Sequence, residues 1–176
     1  MKRTILIPTD FTVQSLSVIR NAMTFLGDTG VSVLLVHGIF LPDSIPDLLF
    51  FSKTKLIQSL ETDEFVWSCG LLRNRFQTKI DSLEVDIFTG INVAAFNNYL
   101  EANRIHEAFI PENYRFLPRN KRSFDIIPFI QKSSLSITRV PSDELQVQED
   151  VDTQIETLFF NKNYVNPFTK NATKTI

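Results

Sequence analysis

Asp10 is the first residue of this chain placed to meet a ligand, because it closes the run Ile5-Leu6-Ile7-Pro8-Thr9-Asp10. A carboxylate just past a short apolar run can accept hydrogen bonds from a ribose or an amine. It can equally cap the helix that follows, where the positive end of the backbone dipole favours an anion. A second apolar run ends at His37 and Gly38. A lone histidine in such a run reads as a core residue whose ring nitrogens are satisfied by neighbours. His106 is 69 positions further on, and no Cys, His or carboxylate cluster has metal-ligand spacing. The sequence also has no Gly-x-Ser-x-Gly elbow and no Walker loop. The expectation is therefore a protein without a catalytic site and without a metal.

The remaining candidates share one loop. Residues 111–123 carry Arg115, Arg119, Lys121 and Arg122 against Glu112, four positive charges against one negative. Arg122 and Ser123 precede a predicted helix over 124–132, whose N-terminus would favour a small anion or a phosphorylated metabolite. The other reading is a solvated basic loop, or one paired with acidic residues of the tail.

Composition sets limits on these readings. A chain of 176 residues with 43% hydrophobic residues supports one domain with a real core. A formal net charge of −2 gives no global attraction to nucleic acid or to an anionic membrane, and no recognition motif accompanies the small basic patch. No run approaches the roughly 18 apolar residues of a membrane span. Ile5-Leu6-Ile7 is too short for the core of a secretion signal. The single Cys69 excludes an internal disulfide and reads as a buried, inert thiol. A cytoplasmic protein is expected.

The elements that must position these residues alternate. Residues 4–8 read as a buried strand, Thr12 as a helix cap, and Leu16, Ile19, Met23 and Leu26 as one face of a helix. Gly27 and Gly30 turn the chain into a second buried strand over 31–36. Residues 42–51 read as a loop entering a helix. A long helix over 53–77 follows, with a possible bend at Gly70. Next come a half-exposed strand over 83–88, a helix over 92–103, and strands over 106–110 and 135–140. Such alternation is the mark of a doubly wound, Rossmann-like α/β fold with a parallel sheet. The folded domain is expected over 1–141. Residues 142–176 form a separate extension, with six acidic and no basic residues over 142–161. Val151, Ile155, Leu158 and Phe159 lie there at helical spacing.

The segments 4–11 and 33–39 resemble the start of universal stress protein domains, and the resemblance extends to about Pro141. It implies a five-stranded parallel sheet of strand order 3-2-1-4-5, related to the adenine nucleotide alpha hydrolase-like folds. In ATP-binding members, Pro8, Thr9 and Asp10 would lie beside the nucleoside and the backbone at Gly38 would contact it. The family's phosphate loop reads Gly, two residues, Gly, nine residues, then Gly and Ser or Thr. Here Pro111 and Asn113-Tyr114 stand in for the first glycines, Arg122 replaces the last, and Ser123 alone matches. Pro111 lacks an N–H donor altogether. The expectation is a non-enzymatic stress-response or regulatory protein that does not bind ATP in the family manner and needs no cofactor. The alternative is a sensor of ATP, another adenine nucleotide or an anion, using Asp10, Gly38 and the loop 115–123. The resemblance also implies a homodimer through the edge strand bounded by Leu135 and Val140.

Overall fold

The computed structural model describes residues 3–27 and 30–141. The turn expected at Asp28 and Thr29, the extension 142–176 and its apolar stripe lie outside the described residues. Strand β1, Arg3–Pro8, and strand β2, Val31–Ile39, pair in parallel, with Ile5 opposite Val33 and Ile7 opposite Leu35. Between them a single 3-10 turn, Gln14–Leu16, leads into helix α1, Ser17–Phe25. The sheet continues with β3, Ile80–Phe88, β4, Glu107–Pro111, and β6, Ser136–Val140, all parallel, in the order β3-β2-β1-β4-β6. That is the expected 3-2-1-4-5 order, with one addition. A two-residue strand, β5 at Ser123–Phe124, pairs antiparallel with the end of β2.

Side chains alternate across a sheet, so each central strand feeds two cores. Ile5, Ile7, Val33 and Leu35 pack with Leu16, Ile19 and Met23 of the first helical segment and with Phe65 and Leu72. Leu6, Val36 and Ile110 pack on the other face with Phe96, Leu100 and Ile130. Helices on both faces explain why β1 and β2 are apolar at nearly every position.

The long helix expected over 53–77 is two helices, α3 at Lys53–Leu60 and α4 at Asp63–Arg75. The break lies at Glu61 and Thr62, both extended, and Thr62 accepts a hydrogen bond from the Phe65 N–H at 3.2 Å. Asp63 and Glu64 in the first turn, and Arg73 and Arg75 in the last, complement the new helix dipole. A local cap therefore outweighed continuous apolar periodicity. Gly70, where a bend was expected, sits inside α4 with open space around it. Residues 42–51 contain a short helix, α2 at Ile45–Leu49, capped by Ser44. Helix α5, Val93–Ala102, starts on Asn92, which accepts the Ala95 N–H at 2.8 Å. Helix α6 is only Ile127–Gln131, shorter than the expected 124–132, because Ser123 and Phe124 join the sheet.

Candidate functional site

The carboxyl ends of β1, β2 and β4 meet where the strand order reverses, the place where open α/β sheets receive ligands. Here that place is occupied by the chain's own loop between β4 and α6. Thr9 and Asp10 follow Pro8 and are buried. Asp10 Oδ1 accepts the Thr12 N–H at 3.0 Å and the Thr12 hydroxyl at 2.6 Å. Asp10 Oδ2 accepts the Leu117 N–H at 3.1 Å, across 107 residues of sequence. Thr12 Oγ1 in turn accepts the Ser15 N–H at 3.2 Å, but the 3-10 turn and helix α1 are entered at Val13 and Leu16 with no side-chain cap, so Thr12 belongs to the turn before the helix and not to the cap expected there. Both carboxylate oxygens are thus engaged within the chain, and one of them staples the loop to the sheet.

His37 does the same on β2. Its Nδ1 lies 2.9 Å from the Thr9 carbonyl oxygen, which can only accept, so Nδ1 carries the proton. Nε2 then accepts from the Ser123 hydroxyl at 2.8 Å. The ring lies between Phe11 and Phe116, at centroid distances of 5.0 and 5.8 Å. Burial lowers the His37 pKa, opposed by the Thr9 hydrogen bond and the Asp10 charge. A serine donating to a histidine of fixed tautomer is half of a nucleophile–base arrangement. Here Ser123 lies in β5, paired with Ile39, and its bond to His37 ties that strand down.

Gly38 is needed for the same closure. Its partner in the ladder is Phe124, and a Cβ at Gly38 would lie 2.6 Å from the Phe124 carbonyl oxygen and from Ile126 Cγ2. The glycine makes room for the returning backbone. Phe11 holds a left-handed φ of 62°, uncommon for a residue with a large side chain, while its ring is fully buried. The Tyr114 hydroxyl is buried beside Asp10 but outside good hydrogen-bond geometry. Burial first, and the Asp10 carboxylate second, push its pKa upward. Among Pro8, Thr9, Gly38, Tyr114, Phe116 and Phe124 no space wide enough for a water molecule remains. Small-molecule sites run to roughly 300–1,000 Å³.

The basic residues do not converge on this point. Arg119 donates from Nη2 to the Phe11 carbonyl oxygen at 3.2 Å and faces Glu64. Arg122 lines a separate groove with Phe50 and Phe51, while Arg115 and Lys121 are exposed. At the start of the last helix, where an anion was expected, the polar groups have partners within the chain. Ser123 is spent on His37, and Asp125 caps that helix by accepting the Ile127 N–H at 2.9 Å. Cys69 is half-buried, and burial, followed by the Glu61 charge, pushes its thiol up to about 12, the direction of an inert thiol. Among the described residues no cluster of His, Cys, Asp or Glu could hold a metal ion, and no helix is long and apolar enough to cross a membrane.

Sequence reasoning missed Tyr114, Phe116 and Leu117 as parts of the site. Their only signal was the presence of large apolar side chains in a loop where a phosphate cradle would carry glycine.

No family model matches the chain. No curated protein matches it either. Solved structures do. The universal stress protein UspA from Lactobacillus plantarum superimposes with a TM-score of 0.50 and 10% identity, over 78% of this chain and 97% of that one. A universal stress protein family member from Burkholderia pseudomallei gives 0.47 and 8%, over 78% and 95% of the two chains. A universal stress protein solved in complex with cAMP gives 0.40 and 14%, over 80% and 98%. The chain has the universal stress protein fold, a doubly wound α/β sandwich.

Proposed function

We propose that this chain is a non-enzymatic stress-response or regulatory protein of universal stress protein type that does not take ATP in the family manner. What supports this reading is the occupied crevice. The positions expected to face a nucleoside, Thr9, Asp10 and Gly38, are engaged by Ser15, Leu117 and Phe124 of the same chain. A nucleotide would have to expel Phe116 and Phe124 and strip both oxygens of Asp10 of their partners. Leaving a buried donor or acceptor without a partner costs roughly 1–3 kcal/mol. Calorimetric titration of the full chain with Mg-ATP tests the reading. No heat of binding is expected, and a micromolar dissociation constant would overturn it.

The protein acts in the cytoplasm as a homodimer through its edge strand. Strand β6 supports the dimer, since it ends the sheet order with one ladder partner, β4, among the described residues. Proline at Ile137 removes a ladder donor. Sedimentation of Ile137→Pro is expected to give monomer, and a folded dimer would place the interface elsewhere.

A further inference from the structure

The chain after β2 leaves a large apolar face uncovered. Phe40, Leu41, Ile45, Leu48, Leu49 and Phe50 are all exposed, Leu49 by 76% and Phe50 by 86%. Single exposed apolar residues are ordinary, but six within eleven positions mark a docking surface. Phe50, Phe51 and Leu56 wall a groove of about 390 Å³ on this face, and Arg122 stands at its rim. The basic loop is held there by the backbone, because the Phe40 N–H donates to the Arg122 carbonyl oxygen at 2.9 Å. The Phe124 ring stacks on Phe40 at 4.4 Å. Lys121 and Arg122 therefore flank the apolar face, and no ion pair among the described residues uses Arg115, Lys121 or Arg122. Asp47, the acidic residue of the groove, already accepts the Ser44 hydroxyl at 2.6 Å.

We propose that this face, from Phe40 to Phe50 with Lys121 and Arg122 at its rim, is the seat of the chain's own segment 143–159. Three facts select that occupant. The segment matches in charge, with Asp143, Glu144, Glu149, Asp150, Asp152 and Glu156 and no basic residue. It carries Val151, Ile155, Leu158 and Phe159 at the spacing of one helical face. It is also within reach. The described chain ends at Pro141, after β6, at the same carboxyl edge of the sheet from which the face emerges after β2. Those two strands are three places apart in the sheet, about 14 Å at the usual strand spacing, whereas ten extended residues span about 33 Å. A second copy fits less well, because a two-fold interface would set one cationic rim against its twin.

Photo-cross-linking in the full chain tests this. A benzoylphenylalanine in place of Leu49, which is exposed, should cross-link within the same chain to residues 143–160, as mapped by mass spectrometry on mixed light and heavy protein. Leu158→Asp with Phe159→Asp lies outside the described fold and should cut that cross-link about tenfold, the effect of losing a buried apolar anchor. Cross-links between light and heavy chains would make a second copy the occupant and overturn the proposal. Absence of any cross-link to 143–160, or a yield unchanged by the double substitution, would overturn it as well.

Discussion

The crevice at the ends of β1 and β2 and the face after β2 lie only a few residues apart, and they treat their side chains in opposite ways. At the crevice, Thr9, Asp10 and His37 are buried, and each is satisfied from within the chain. On the face, Leu49 and Phe50 are turned to solvent. The first region has spent its polar groups on its own loop. The second keeps its apolar area for something else to cover. The position of a crevice in a fold thus does not by itself say which surface recognises a partner.

The sharpest way to break this contrast is Asp10→Ala. It removes a carboxylate that accepts from Thr12 twice and from Leu117 once. Bonds to a charged group contribute roughly 1.5–3 kcal/mol each and do not simply add, so a loss of about 3 kcal/mol is expected in urea unfolding. A loss below about 1 kcal/mol would mean that the loop is not held by this residue. Gly38→Ala comes next. Its Cβ would meet the backbone oxygen of Phe124, and overpacking of this kind costs about 2 kcal/mol. Normal stability with faster proteolysis at 112–122 would instead show that the loop opens at little cost.

His37 makes the contrast pH-dependent. Burial lowers its folded-state pKa below 6.5, so the unfolded chain binds a proton first as the pH falls. The group's contribution is flat above that value and is lost as the pH drops from about 6.5 toward the folded-state pKa. Unfolding free energies between pH 8 and 5 should fall for the parent more than for His37→Gln. Parallel curves would assign the acid sensitivity to other groups. The smallest effect is expected on the open face. Phe50→Ser in the full chain should lower the unfolding free energy by about 1 kcal/mol, less than at the crevice, because it removes only part of the contact with the docked segment 143–159. A loss as large as that of Asp10→Ala would mean that the face is part of the core.

The strands were legible because a parallel sheet covered on both faces needs unbroken apolar runs, and Ile5 to Ile7 and Val33 to Val36 are such runs, whereas their order was implied by the resemblance of 4–11 and 33–39 to universal stress protein domains. Asp10 reads in the sequence as a cap of the first helix, but its bonds to Thr12 close a turn ahead of that helix, whose entry at Leu16 has no side-chain cap. The break at Thr62 was overlooked, although Thr62-Asp63-Glu64 is a start signal inside an apolar period. The β5 strand could not be read, since two residues carry no periodicity and their pairing partner lies more than eighty positions away.

What this sequence determined alone is the alternation of strands and helices and the absence of glycine from the loop after β4. These are local properties, set by side-chain type and spacing. Only the tertiary structure decided where that loop goes. Leu117 meets Asp10, and Ser123 meets His37, across 107 and 86 residues. Whether a polar group faces a ligand or its own chain depends on which distant backbone can approach it. That is settled by packing at the end of the sheet, where Gly38 leaves room for Phe124.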